Sequence, residues 1–476
     1  MKKEKVKKLI YCFLVSIFIT SCASAQKIRI ACVGNSITAG AKLNDPPKES
    51  YPAQLQRLLG DQYDVFNFGV SGKTVVAANG YAATPSFKEA LLSHPDIVFI
   101  KLGTNDSRLP YRLDVPERFD NDYKSIIRAF RQQSPSPRII LLLPVTSYLT
   151  DTARQADSVI THLIVPHIQQ VAFDEKLELV DLHSITLNKA ALFPDQLHPS
   201  VEGAAIIAKR LYEAVTQKPA KSFNIFEKID TAYTVSSFHG YDCADFIFAG
   251  RSAKIVKPRI IAKGHPWVWR ARFWGHEPQT DIALLDRGFH IVYCDVAELF
   301  GNAEAIAIWN RFYDFLKSAG LSKRAVMEGM SRGGVYIYNW AAANPKRVAC
   351  IYADAPVLDL RSWPGGKGKG PGSAADWEIF KKDYGYASEE QIADFKNNPL
   401  DKIPVIVKGH YPMLHVVGDA DEVVPVDENT AVFERKILAA GGNIKVIHKP
   451  GIGHHPHSLP DPQPIVDFIL KAINNK

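Results

Sequence analysis

The sequence predicts an α/β chain built from two successive units, each a mostly parallel sheet with helices on its faces. Three observations predict it. At 476 residues the chain is too long for one ordinary domain. Short apolar runs alternate with helical stretches along its length. Polar blocks bearing serine, asparagine, aspartate and histidine sit just past strand ends in both halves, where open α/β sheets bind ligands.

In the first half, residues 27–33, 64–68, 97–102, 138–143 and 177–182 read as strands. An amphipathic stretch covers 51–59, and a helix over about 201–215 closes the unit. The pattern then weakens around 217–229, and Lys218-Pro219-Ala220-Lys221 reads as a linker. In the second half a hairpin is expected around Gly250, with strands at 246–248 and 253–256. Further strands are expected at 259–262, 291–294, 325–327, 350–353, 413–417 and 445–448. The glycine- and lysine-rich 364–372 reads as a mobile surface loop. The expected division is 1–25 signal, 26–217 first domain, 218–232 linker and 233–476 second domain.

Composition is that of an ordinary globular protein, 46% hydrophobic and 22% charged. The net charge of +7 is misleading, because Lys2, Lys3, Lys5, Lys7 and Lys8 carry most of the excess. The rest of the chain has no concentrated basic patch, which argues against a nucleic-acid binder. That lysine-rich start precedes a short apolar run and then small residues, the pattern of a secretion signal rather than a membrane span. Ala23-Ser24-Ala25 offers a cleavage site that would free Gln26, whereas Ile19-Thr20-Ser21-Cys22 resembles a lipobox. The second reading is preferred and implies a lipidated Cys22 on an exported, periplasmic or outer-membrane-anchored protein. Cys32, Cys243, Cys294 and Cys350 are widely spaced, and most lie in apolar runs, so buried thiols are expected.

Four blocks define a first site. They are Gly34-Asn35-Ser36-Ile37-Thr38, Asn67-Phe68-Gly69-Val70-Ser71-Gly72, Gly103-Thr104-Asn105-Asp106 and Asp195-Gln196-Leu197-His198-Pro199. Acyl transfer explains why these types should meet. A serine hydroxyl is a weak nucleophile unless a base takes its proton, and His198 is the base available to Ser36. Asp195 can accept from the other imidazole nitrogen and fix the tautomer. The N–H groups of Ser36 and Gly72 and the amide of Asn105 can meet an oxyanion. The four blocks, in this order over about 27–217, resemble the SGNH (GDSL) hydrolase family. The resemblance implies a flavodoxin-like parallel sheet, Ser36 as nucleophile, Asp195 and His198 as its partners, and Gly72 and Asn105 as oxyanion donors. Asn35 stands where that family usually has aspartate.

A second site is expected at Glu328-Gly329-Met330-Ser331-Arg332-Gly333-Gly334, between an apolar strand and a helical stretch. That is the setting of a Gly-x-Ser-x-Gly nucleophile elbow, with Ser331 as nucleophile and the Arg332 N–H as oxyanion donor. Acid and base should follow in that order. Gly418-Asp419-Ala420-Asp421-Glu422-Val423-Val424-Pro425 and Gly451-Ile452-Gly453-His454-His455 supply them. The run from about 222 to 476 is similar to the prolyl-oligopeptidase-like esterases of the α/β-hydrolase fold. That similarity points to Asp421 and His454, with Asp419 and His455 as alternates one or two residues away. The second oxyanion donor is expected after 259–262, near Gly264-His265-Pro266-Trp267.

Two other readings compete. His454, His455 and His457 form a metal-like cluster, but Pro456 interrupts it and no acidic or cysteine partner lies nearby in sequence. No metal or other cofactor is therefore expected. Trp267, Trp269 and Trp274 read as core before they read as a sugar platform.

Two acyl-hydrolase sites on one exported chain imply a polymer carrying more than one ester. The expected function is deacylation of plant cell-wall polysaccharides, xylan or pectin, with Ser36 removing acetyl and Ser331 a second ester. One alternative is a lipid or thioester acyl hydrolase of lysophospholipase type. Another is one active esterase domain beside a non-catalytic binding module. A peptidase second site is disfavoured, because no β-propeller precedes it.

Overall fold

The computed structural model describes residues 26–221, 223–392 and 395–474. The secretion signal, both cleavage readings up to Ala25 and the lipidation candidate Cys22 lie outside the described residues.

The first sheet has five strands, β1 (Ile28–Gly34), β2 (Tyr63–Gly69), β3 (Ile97–Lys101), β4 (Arg138–Leu142) and β5 (Glu178–Val180). All pair in parallel in the order β2-β1-β3-β4-β5. This is a doubly wound order that reverses between β1 and β3. β1 and β3 are apolar on both faces because helices cover both faces. The helices Val115–Arg131 and Val165–Asp174 bury Phe119, Tyr123, Ile127, Ile168 and Val171 on one side. Tyr51–Leu59 and Val201–Thr216 bury Tyr51, Leu55, Ile207 and Leu211 on the other.

The second sheet has nine strands. They are β6 (Tyr233–Phe238), β7 (Tyr241–Phe248), β8 (Arg251–Lys257), β9 (Trp267–Ala271), β10 (His290–Cys294), β11 (Ala325–Met330), β12 (Val348–Asp354), β13 (Met413–Gly418) and β14 (Ile444–Lys449). Their order is β14-β13-β12-β11-β9-β10-β8-β7-β6. β6, β7 and β8 form an antiparallel edge, and β9 onward run parallel. The helix Gly333–Ala343 is buried almost all round, because it runs through the middle of this half. Trp267 and Trp269 are fully buried and stack into a cluster with Trp309 and Trp340, so they are core. Cys32, Cys243 and Cys294 are buried thiols, and Cys350 is also buried.

Two expectations need correction. Residues 259–262 are not a strand, although Ile260-Ile261 reads as one. They pair with the segment expected to be a linker, through Ala220 N–H to Ile261 O at 2.7 Å and a bridge between Pro219 and Ala262. A strand absent from the expected set, β9, lies beside β11, and its Arg270 interrupts the apolar pattern in sequence. The glycine-rich loop is also anchored. Lys369 N–H donates to Glu428, and Ser373 N–H donates to Pro364 O at 2.8 Å.

The two halves meet through charge. Arg210, from the last helix of the first half, pairs with Asp286 at 2.8 Å, and both side chains are buried. Asp242 accepts from Lys176 at 2.8 Å and from Arg259 at 2.9 Å. Tyr241 Oη donates to Leu179 O at 3.2 Å. Lys189 pairs with Asp461.

Candidate active sites

Register brings the first site together. Gly34 of β1 lies opposite Gly69 of β2 and Lys101 of β3. The blocks carrying Ser36, Gly72 and Asn105 therefore leave three adjacent strands at one level. Asn35 caps the one-turn helix Ser36–Ala39 by accepting from Ile37 N–H at 3.2 Å. This is a helix-cap role that asparagine fills as well as aspartate. Gly69 is required by close approach, since a Cβ there would lie 2.1 Å from Ala39 N.

His198 Nε2 lies 2.9 Å from Ser36 Oγ, and His198 Nδ1 lies 2.7 Å from Asp195 Oδ2. The other Asp195 oxygen accepts from the N–H groups of His198 at 2.7 Å and Leu197 at 3.1 Å. Burial would raise the Asp195 carboxyl, but these bonds and the imidazole outweigh it and hold it below its ordinary value. Gly72 has φ +78°, and nothing lies within 4 Å of a Cβ built there, so its backbone is open to a ligand.

Residues not singled out as site residues position these groups. Asp106 is buried and accepts from Val75 N–H at 2.9 Å and Val76 N–H at 3.0 Å, tying the loop after Gly72 to the turn that bears Asn105. Burial pushes its carboxyl up to about 7, against the pull of those N–H groups. Asn105 donates to Lys73 O at 2.9 Å and accepts from Gln155 at 3.0 Å, which orients its amide. Asp106 stood inside a block already read for Asn105. Gln155 gave no signal, because its partner is 50 residues away in sequence.

The second site is a turn between β11 and the helix Gly333–Ala343. Ser331 has φ +48°, a strained conformation for a residue with a side chain. A Cβ at Gly329 would lie 2.8 Å from Gly333 O, and one at Gly333 2.9 Å from Ala271 O. Glycine is thus needed on both sides of the serine. His454 Nε2 lies 2.9 Å from Ser331 Oγ and His454 Nδ1 2.7 Å from Asp421 Oδ2. Asp421 accepts from Val423 and Val424 N–H at 2.9 and 2.8 Å. All three side chains are buried.

The alternates are not brought to Ser331. Asp419 pairs with His448 at 2.6 Å, and both side chains are exposed. His455 is exposed and packs against His457 and His276. Arg332 begins the helix beside Ser331, and its guanidinium pairs with Asp376 at 2.7 Å and lies over Phe300 and Trp363.

The loop after β9, not the stretch around Gly264, lines the cavity with Ser331, through Phe273, Trp274 and His276. Arg272 and Phe273 hold consecutive positive φ values of 56° and 45°. Buried Arg270 fixes this loop. It pairs with Asp281 at 2.5 Å and Glu328 at 3.0 Å, and donates to Phe273 O at 3.3 Å. Phe273, Trp274, His276, Ser331, His454, His455 and His457 line one cavity of about 430 Å³.

Two helix-covered sheets, one parallel and one parallel with an antiparallel edge, each place a serine at a strand end bonded to a histidine and that histidine to an aspartate, the side-chain relay of a serine hydrolase. Residues 32–206 match the GDSL-like Lipase/Acylhydrolase family, and residues 313–476 match the Prolyl oligopeptidase family. The chain thus carries a GDSL-like acylhydrolase segment followed by a prolyl-oligopeptidase-family α/β-hydrolase segment. An acetylxylan esterase of Xylanibacter ruminicola is 36% identical over 208 residues, 40% of this chain and 43% of that protein. The chain therefore spans less than half the length of this curated relative. Among solved structures, an acylaminoacyl peptidase of Pyrococcus horikoshii matches at 16% identity, over 52% of this chain and 42% of that one, with a TM-score of 0.38. The Porphyromonas gingivalis dipeptidyl peptidase 4 matches at 16% identity, over 51% of this chain and 35% of that one, with a TM-score of 0.36.

Proposed function

We propose that this chain is an exported serine esterase with two catalytic centres that strips acyl groups from plant cell-wall polysaccharide. The observation that carries the reading is the pair of complete relays, Ser36–His198–Asp195 and Ser331–His454–Asp421. In each, the histidine takes the serine proton as Oγ attacks the ester carbonyl, then returns it to the leaving alkoxide. The aspartate holds the imidazole in the productive tautomer. At the first centre the Gly72 N–H and the Asn105 amide would meet the oxyanion. At the second the donors would be the N–H groups of Arg332 and of the loop after β9. Neither step calls for a cofactor. The acetylxylan esterase relative supports acetyl as the group removed at Ser36, and the lipobox-like Cys22 supports an export signal with a lipid anchor.

Acetylated xylan and pectin oligosaccharides, treated with the wild type, Ser36→Ala and Ser331→Ala and compared by mass spectrometry, test the reading. Ser36→Ala should abolish loss of acetyl. Ser331→Ala should abolish a different mass loss on methylated or feruloylated substrates, and no change on any ester would sink the two-centre claim. The family match of residues 313–476 favours one rival for Ser331, cleavage of a peptide bond, which aminoacyl nitroanilides would reveal.

A further inference from the structure

Beside Ser331, His276, His455 and His457 converge from two loops 179 residues apart at their nearest. Each offers one ring nitrogen, and these three atoms lie within 4.8 Å of one another. His276 and His455 are exposed, and His457 is buried. His454 is not one of the set, since its two nitrogens already serve Asp421 and Ser331. His276 comes from the loop after β9, which is why the sequence run 454–457 alone did not disclose the cluster.

The buried member is prepared for ligation. His457 Nδ1 bonds to Asp354 at 2.8 Å, and that carboxylate is wholly buried. Asp354 also accepts from Ser458 N–H at 2.9 Å and from Tyr352 Oη at 3.1 Å, so it is held firmly. This is the acidic partner missing from the local sequence. A carboxylate on Nδ1 fixes the tautomer and turns the Nε2 lone pair outward, the arrangement that accompanies metal-bound histidines.

We propose that His276, His455 and His457 bind one borderline transition-metal dication of the Zn²⁺ type at the rim of the Ser331 cavity. Three imidazoles suit such an ion, whose metal–nitrogen bonds of about 2.0–2.1 Å set ligand atoms about 3.4 Å apart in a tetrahedral site. The two exposed rings close that gap by turning towards His457. The fourth position faces the cavity that holds Ser331. This inference concerns binding and stands whether or not Ser331 cleaves an ester.

The full chain, freed of any affinity tag, is loaded with Zn²⁺, dialysed against metal-free buffer and assayed for zinc by mass spectrometry. One equivalent should be retained by the wild type and by Ser331→Ala, and lost from His276→Ala/His455→Ala. Loading with Co²⁺ should give a visible tetrahedral absorption band that the double variant lacks. Both substituted side chains are exposed, and an unchanged thermal melt excludes misfolding as the cause of loss. Zinc retained equally by the double variant, or by no form of the protein, would overturn the proposal.

Discussion

At the residue scale, the first centre depends on how Asp195 is held. Three hydrogen bonds keep it an acceptor and keep it ionised well into acid. Asp195→Asn should leave Ser36 and His198 in place yet present the wrong tautomer, lowering kcat at that centre by roughly 10⁴-fold. Acetate release measured in a Ser331→Ala background checks it. Asp106 responds to pH in the opposite sense. Its folded value is raised from 3.8 to about 7, so the folded state binds the proton more tightly than the unfolded chain. Its ionisation therefore costs stability as pH climbs through that window. Asp106→Asn keeps an acceptor for Val75 and Val76 without the charge. Its urea midpoint should gain on the wild type between about pH 4 and about pH 7 and hold a level lead above that, whereas a constant gap throughout would show that Asp106 does not titrate there. The serine, histidine and aspartate of each relay were readable because acyl transfer restricts the residue types that must meet. The residues that aim them, Gln155 and Arg270, were not, since each is defined by partners distant in sequence.

At the element scale, the strand-turn-helix at Ser331 stores strain. A left-handed residue with a Cβ costs about 1–2 kcal/mol, a cost glycine escapes. Ser331→Gly and Ser331→Ala should both be inactive at this centre, with the glycine variant the more stable by about 1 kcal/mol. Chemical denaturation of the pair isolates strain from loss of the hydroxyl. The same strand shows where pattern reading fails. Ile260-Ile261 looks like a strand but lies against residues 219–220, while β9 is a central strand that contains an arginine. Arg270 is tolerated there because Asp281 supplies the opposite charge and Glu328, its carboxyl raised by burial, accepts a further hydrogen bond from the guanidinium. Periodicity cannot see that pairing, for the partners lie 11 and 58 residues away.

At the scale of the whole molecule, two sheets of one class could have been beads on a tether. They are instead joined by buried charge. Arg210→Ala would leave Asp286 buried without its nearest cation, which costs about 3–5 kcal/mol. Calorimetry should then separate one concerted melt into two, and a single unshifted transition would show that the contact couples nothing. The two-unit α/β organisation was legible from chain length, alternation and the polar blocks at strand ends. The contact between the units was not, because Arg210 and Asp242 find their partners Asp286 and Lys176 76 and 66 residues away in sequence.

The Lys189–Asp461 pair adds little stability, being partly exposed. Its placement matters more. Lys189 lies shortly before Asp195 and His198, and Asp461 shortly after His454 and His457. Tethered modules sample many separations, and their cooperation on one polymer is averaged over them. The pair clasps the chain leading into Asp195 and His198 to the loop that follows His454 and His457, so the two candidate relays are not independent of one another in position.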